Sequence, residues 1–175
     1  MIIKPLSVLP HDVTVRRFAM QGIGIQVTDG QPEAVIPPGM DADQVVADID
    51  GYDPLPEIKA EKIKELSAAC GETIRAGFKS AALGADHWYD GDVEDQINIM
   101  GAAAAGMDLP FRCYPIDADG NRIAPKTFFV HTAAQLQQVY QDGVAFKLGQ
   151  LQRLEMLRAQ VDAAASSSDV EAVAW

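Results

Sequence analysis

The sequence predicts an α+β protein: a small N-terminal β arm or sheet, followed by a mainly helical domain with one β-hairpin and a long C-terminal helix. Three observations predict it. Apolar residues recur at helical spacing from Leu136 to Val161. Short alternating apolar runs fill residues 2–37. Two strand-like segments flank the turn residues Asp117-Ala118-Asp119-Gly120-Asn121. The expected division is 1–52 as a β-rich docking region with a short helix, 53–163 as the helical domain with its hairpin, and 164–175 as a C-terminal tail.

In chain order, Val13, Val15 and Arg17 alternate with Thr14, Arg16 and Phe18, and read as a strand. Ile23, Ile25 and Val27 read as a second strand, Asp29-Gly30 as a turn, and Ala34-Val35-Ile36 as a short return. Two or three strands enclose little core, so this part is expected to lean on a neighbour. A short helix follows from Asp41 to Asp48, with Val45, Val46 and Ile49 on its apolar side. The breaker from Asp50 to Pro56 ends the region. From Glu57 to Ala76 the spacing predicts a helix with Ile63, Leu66, Cys70 and Ile74 inward, closed by Gly77. Residues 78–90 are irregular and aromatic. Asp92 is placed to cap a helix running to about Ala105, with Val93, Ile97, Met100 and Ala104 as its stripe. Phe111–Tyr114 and Ile123–Val130 form the hairpin.

Thr132-Ala133-Ala134-Gln135 is a capping box that opens the long helix. Its stripe of Leu136, Tyr140, Val144, Leu148, Leu151, Leu154, Leu157 and Val161 advances in steps of three and four. A rod of roughly eight turns cannot cover such a stripe by itself. The expectation is that these eight residues form a packing and oligomer seam. One face would meet the helices at 57–76 and 92–105, and the rest a copy of itself. The tail after Ala163, taken alone, is expected to be mobile.

Composition narrows the function. The chain has 175 residues, a net charge of −11 and a hydrophobic fraction of 48%. An acidic chain is a poor match for nucleic acid, which is bound through a basic face, and for an anionic membrane. No apolar run reaches a bilayer's length, and the N-terminus lacks a signal-peptide layout. Two cysteines fit synthesis in a reducing cytoplasm.

Chemical readings are each weaker than the plain ones. Cys70, His87, Cys113 and His131 would make a zinc set, but no pair has the short spacing such sites use. A cysteine nucleophile with His87 or His131 as base needs an orienting group and an oxyanion site, and nothing marks either. In Asp117–Asn121 the glycine falls at the fourth place and Phe128 at the twelfth, so a hairpin turn is favoured over a calcium loop. The acidic run of Asp86, Asp90, Asp92, Glu94 and Asp95 suits a solvated loop and helix start more than a cation site. The sequence therefore predicts no enzyme, no catalytic residue, no metal and no cofactor.

Several short segments together are familiar. They are Leu66-Ser67-Ala68-Ala69-Cys70, Ile74-Arg75-Ala76-Gly77-Phe78-Lys79-Ser80, Ala82-Leu83-Gly84, His87-Trp88-Tyr89 and Asp95-Gln96-Ile97-Asn98. Pro110-Phe111-Arg112-Cys113, Asp119-Gly120, and His131-Thr132-Ala133-Ala134-Gln135 leading into Val139 continue the pattern. The stretch from about Glu57 to Ala163 resembles a domain of uncharacterised function in tail-fibre and tail-tip proteins of tailed bacteriophages. The resemblance implies a virion component of the tail tip, baseplate or tail fibre, made in the bacterial host cytoplasm. It assigns no catalytic residue. With the long stripe, it leads to the expectation of a homotrimer that contacts other tail or fibre proteins. The alternative is a tail-fibre assembly factor absent from the finished particle.

Overall fold

The computed structural model describes residues 1–175 and is α+β, with two sheets and six helices. The chain falls into two compact units: Met1–Lys62 with Ala164–Ala172, and Ile63–Ala163 with Val173–Trp175. The division falls inside a helix, after Lys62, rather than at the breaker before it.

The first unit begins with β1 (Ile2–Pro5), α1 (Asp12–Ala19), β2 (Gly24–Thr28), β3 (Gln31–Ile36) and α2 (Ala42–Asp50). Its sheet is antiparallel in the order β1-β3-β2. The turn joining β2 to β3 places Asp29 at φ 50° and Gly30 at φ 81°, the left-handed pair that a tight hairpin needs. One expectation is corrected here: residues 13–18 form α1, not a strand. Alternation over six residues does not separate the two periods. The local chemistry of a helix decides it. The His11 ring accepts from the Val13 amide at 3.2 Å, Asp12 lies in the first turn, and Arg16 and Arg17 lie in the last. Val13, Thr14 and Phe18 are its buried positions. The sheet also has more core than expected. Leu6, Phe18, Ile23, Ala34, Ile36 and Ile49 form one buried cluster, to which α1 and α2 each contribute.

α3 (Leu55–Ala76) buries Leu66 and Cys70, both from the predicted stripe. In the second unit β4 (Phe78–Ser80) and β5 (His87–Tyr89) occupy the stretch that looked irregular. With α4 (Val93–Ala105), β6 (Leu109–Pro115) and β7 (Thr127–His131) they give an antiparallel sheet in the order β4-β5-β6-β7. α5 (Ala133–Ala163) follows, capped as predicted. The Thr132 amide donates to Gln135 Oε1 at 2.8 Å, and the Gln135 amide to Thr132 Oγ1 at 3.2 Å. One face of the sheet meets α4 and α5 through Phe78, Tyr89, Ile99, Cys113 and Val139.

The tail is anchored, contrary to the expectation for an isolated segment. Ser166 caps the short α6 (Ser167–Glu171), and Val170 and Val173 are buried. In the second unit the Trp175 indole N–H donates to Thr73 Oγ1 at 2.9 Å, and the Arg153 guanidinium lies 4.6 Å from the ring centroid.

The chain crosses itself most tightly at Gly77 and Gly91. A Cβ at Gly91 would stand 2.1 Å from the Ile74 carbonyl oxygen and 3.0 Å from Gly77 Cα. Backbone cannot retreat there as a flexible side chain would. Gly91→Ala is expected to cost roughly 2 kcal/mol or more in chemical denaturation. Gly101, in α4, has nothing within 4 Å of its position for a Cβ. Gly101→Ala is expected to stabilise by about 0.5–1 kcal/mol through its helix propensity.

Candidate functional site

The second unit carries an open groove between α4 and α5. Two parts of α5 explain it. In the first turns Leu136 and Val139 are buried, and Gly143 lets the helix come close to Phe78: a Cβ there would lie 2.8 Å from the ring. Further on, Val144, Leu148 and Leu151 remain 48%, 53% and 42% exposed. The predicted seam therefore divides. Leu136, Leu154 and Val161 are buried, Tyr140 and Leu157 half-buried, and Val144, Leu148 and Leu151 open. The buried run adds Val139, which the stripe omitted. A face set by steps of three and four drifts around a long helix, so one line of residues does not meet one neighbour throughout.

α4 is turned differently from expectation. Its stripe of Val93, Ile97, Met100 and Ala104 is exposed, while Ile99 enters the core. The buried side is the one that carries Ile99, which the expected stripe omits. The reason is visible at its start. Gln96 Nε2 donates to the Gly91 carbonyl at 2.7 Å, and Asp95 reaches Lys126 at 3.0 Å, so the inward side is fixed by polar groups. Between the helices lies a cavity of about 340 Å³, with Phe78, Gly91, Ile99 and Phe146 among its lining. Lys147 is the only charged side chain lining it, and its ammonium donates to Gln96 Oε1 at 2.9 Å. The arrangement suits an apolar occupant. It offers no pair of acids and no nucleophile.

Chemistry-bearing side chains gather instead inside the core. Tyr89 and His131 are 1% and 0% exposed and meet at 2.7 Å between the hydroxyl and Nε2. His131 Nδ1 lies 2.9 Å from the Phe129 carbonyl, so it carries the proton, and Nε2 accepts from Tyr89. The imidazole is therefore neutral, and burial holds it below its ordinary value of 6.5. Burial also raises the Tyr89 hydroxyl and the Cys113 thiol. A thiol kept protonated and enclosed is a packing group, not a nucleophile.

The zinc set is not assembled. Cys70 Sγ faces the Gln150 carbonyl at 3.7 Å, and His87 packs edge-on against Phe129. No group of three or more His, Cys, Asp or Glu side chains is placed to hold a metal ion. Asp117 accepts from the amides of Asp119 and Asn121 at 3.0 and 2.8 Å, the chemistry of a turn. In the acidic run, Asp92 caps α4 by accepting from the Asp95 amide at 3.0 Å. Asp90 and Asp95 hold the ammonium of Lys126 at 2.9 and 3.0 Å. Burial opposes the charge on Lys126, but these hydrogen bonds outweigh it and raise its pKa. The cation for this run is thus the chain's own. Sequence reasoning missed Lys126 because 31 positions separate it from Asp95. It also missed the Tyr89–His131 pair, whose partners are 42 positions apart.

The neutral His131 has a pH consequence. As pH falls the unfolded chain takes the proton first. The contribution of this site is complete above about pH 6.5 and is lost as pH drops toward the lowered folded value. Wild-type stability is expected to fall more steeply between about pH 7 and pH 5 than that of His131→Gln. Urea denaturation across that window checks the slope, and equal slopes would refute it. Tyr89→Phe, which leaves Nε2 unsatisfied, is expected to cost about 1–3 kcal/mol at neutral pH.

No helix is long and apolar enough to cross a membrane. No curated protein and no solved structure matches the chain. One family model does, over residues 57–174, and its description is a domain of unknown function, DUF4376. The match covers both faces of the groove and the buried Tyr89–His131 pair, and on it the chain belongs to the DUF4376 family.

Proposed function

We propose that the protein is a structural component of a bacteriophage tail, placed at the tail tip, baseplate or fibre. It acts by self-association, as a homotrimer, and by docking on other tail proteins. The observation that carries this reading is the open middle of α5. Val144, Leu148 and Leu151 follow one another by four and three residues and stay about half exposed. Apolar side chains arranged in this way on a rigid helix are stabilised by another polypeptide. The motifs from Leu66 to Val139 support the tail assignment through the resemblance described above.

A mobile tail would favour the assembly-factor alternative. That support weakens with Trp175 held against Thr73 and Arg153.

Mass spectrometry of purified phage particles is expected to find this chain at fixed stoichiometry with the tail proteins. Finding it only in infected-cell lysate, bound to fibre protein, would favour the assembly factor; finding it in neither sinks both. In purified protein, Leu151→Asp is expected to raise the dissociation constant of the oligomer by about 100-fold or more, since a buried unpaired carboxylate is costly. Phe128→Asp, on the exposed outer side of β7, is expected to leave it unchanged. Light scattering over a dilution series measures both.

A further inference from the structure

The second sheet turns one side to the helices, through Phe78, Tyr89 and Cys113. Side chains alternate along a strand, so the register sets the others on the opposite side. Lys79 pairs with Trp88 and Trp88 with Tyr114; Arg112 pairs with Phe128 and Pro110 with Val130. At β7 this outer side is open, with Phe128 and Val130 68% and 74% exposed. β7 is also the last strand of its sheet. An edge strand is a template for another strand, and natural edges discourage pairing with charge or proline. Thr127-Phe128-Phe129-Val130-His131 has no proline, acid, lysine or arginine.

Charge narrows the occupant. The four strands of this sheet contain Lys79 and Arg112 and no aspartate or glutamate, although the chain has 25 acids. Arg112 reaches toward the edge. It donates to the Lys126 carbonyl at 3.1 Å, and its guanidinium lies 5.5 Å from the Phe128 ring centroid. No carboxylate pairs with it. An acid on a strand laid beside β7 comes within reach of that guanidinium across Phe128. The residues on either side of that acid point to the other side of the sheet, beside Phe129, where apolar side chains fit.

A second copy does not supply such a strand. Of the seven strands only β3 carries an acid, Glu33, which lies in the middle of its sheet and already accepts from Thr28 and Gln26. Two β7 edges laid together would set one Arg112 against the other with no acid between them. A single-stranded nucleic acid binds by stacking on open rings. Here Arg122 already covers Trp88 and Tyr114, at 4.4 and 5.7 Å.

We infer that β7 is the docking edge for a strand of another protein in which acidic and apolar residues alternate. Main-chain pairing with β7 holds that strand, and Arg112 selects its acids. The inference goes beyond the reading above and does not depend on self-association through α5.

The full-length protein is titrated with a fluorescein-labelled peptide of about ten residues alternating glutamate and valine, read by anisotropy. Binding is expected with a dissociation constant of about 100 μM or tighter. The same peptide with lysine for glutamate, polyglutamate and a thymidine oligonucleotide are expected not to bind. Arg112→Glu is expected to weaken the glutamate peptide about 10-fold or more and to admit the lysine peptide. A damaged fold does not produce that reversal, and circular dichroism verifies the fold. Phe128→Asp is expected to weaken the glutamate peptide by about 10-fold as well. Lys64→Glu, on the exposed side of α3, makes the same change of net charge as a lysine-to-glutamate reversal on the sheet would, and is expected to leave binding unchanged. A glutamate peptide that does not bind wild type, or binds Arg112→Glu equally well, overturns the inference. Equal binding of the lysine peptide, of polyglutamate or of the oligonucleotide overturns the acidic strand as the occupant. A fall in oligomer mass in Phe128→Asp assigns the edge to a second copy and overturns it too. Peptide binding is read whether wild type is one chain or three, so it fails separately from the oligomeric reading.

Discussion

A tyrosine hydroxyl and a histidine ring, both shut away from water, each need a partner, and in this protein each is the other's. Burying either one unpaired would cost on the order of 1–3 kcal/mol. The Tyr89–His131 bond joins β5 to the end of β7, across β6. Around it Phe78 and Phe111 stack on Tyr89 at centroid distances of 5.8 and 6.4 Å. This fixes which face of the sheet is inward, and therefore where α5 must lie when it leaves β7 one residue later. Capping by Thr132 and Gln135 begins α5 there, and a hydrogen bond from the Ala133 amide to Asp108 holds its first turn.

From that start the helix is committed. Its first turns spend Leu136 and Val139 on the sheet. Gly143 permits the close approach to Phe78, and Phe146 packs on the same cluster. Val144, Leu148 and Leu151 lie on another face of the 31-residue rod and stay outward, while Leu154 and Val161 farther along it are buried again. The polar contacts of Gln96 and Lys126 turn α4 so that a second set of apolar side chains is left open beside the first. The groove is thus a consequence of how the core is satisfied. The same core accounts for the enclosed state of Cys113 and His131, residue types that in an accessible cleft would invite a catalytic reading.

Several elements were legible because their chemistry is local. The capping box at Thr132, the cap at Asp92 and the left-handed glycines at Gly77 and Gly106 involve residues within a few positions of one another. The hairpin turn at Asp29-Gly30 belongs to the same class. α1 was read as a strand because six residues hold too few periods to tell two from 3.6. The three-residue β4 and β5 escaped notice because strands that short exist only through their pairing, Phe78 with Tyr89 and Trp88 with Tyr114.

The sequence alone determined that this is an α+β chain whose C-terminal half is built on a long capped helix with more apolar surface than it can cover. Local hydrogen bonding and the 3.6-residue period suffice for that. Only the tertiary structure decided which apolar residues are spent and which remain. Burial on α4 and α5 is set by partners 31 to 51 positions away: Lys126 on Asp95, His131 on Tyr89 and Lys147 on Gln96. No pattern within a single helix records those encounters, because each depends on where the sheet has placed the other strand.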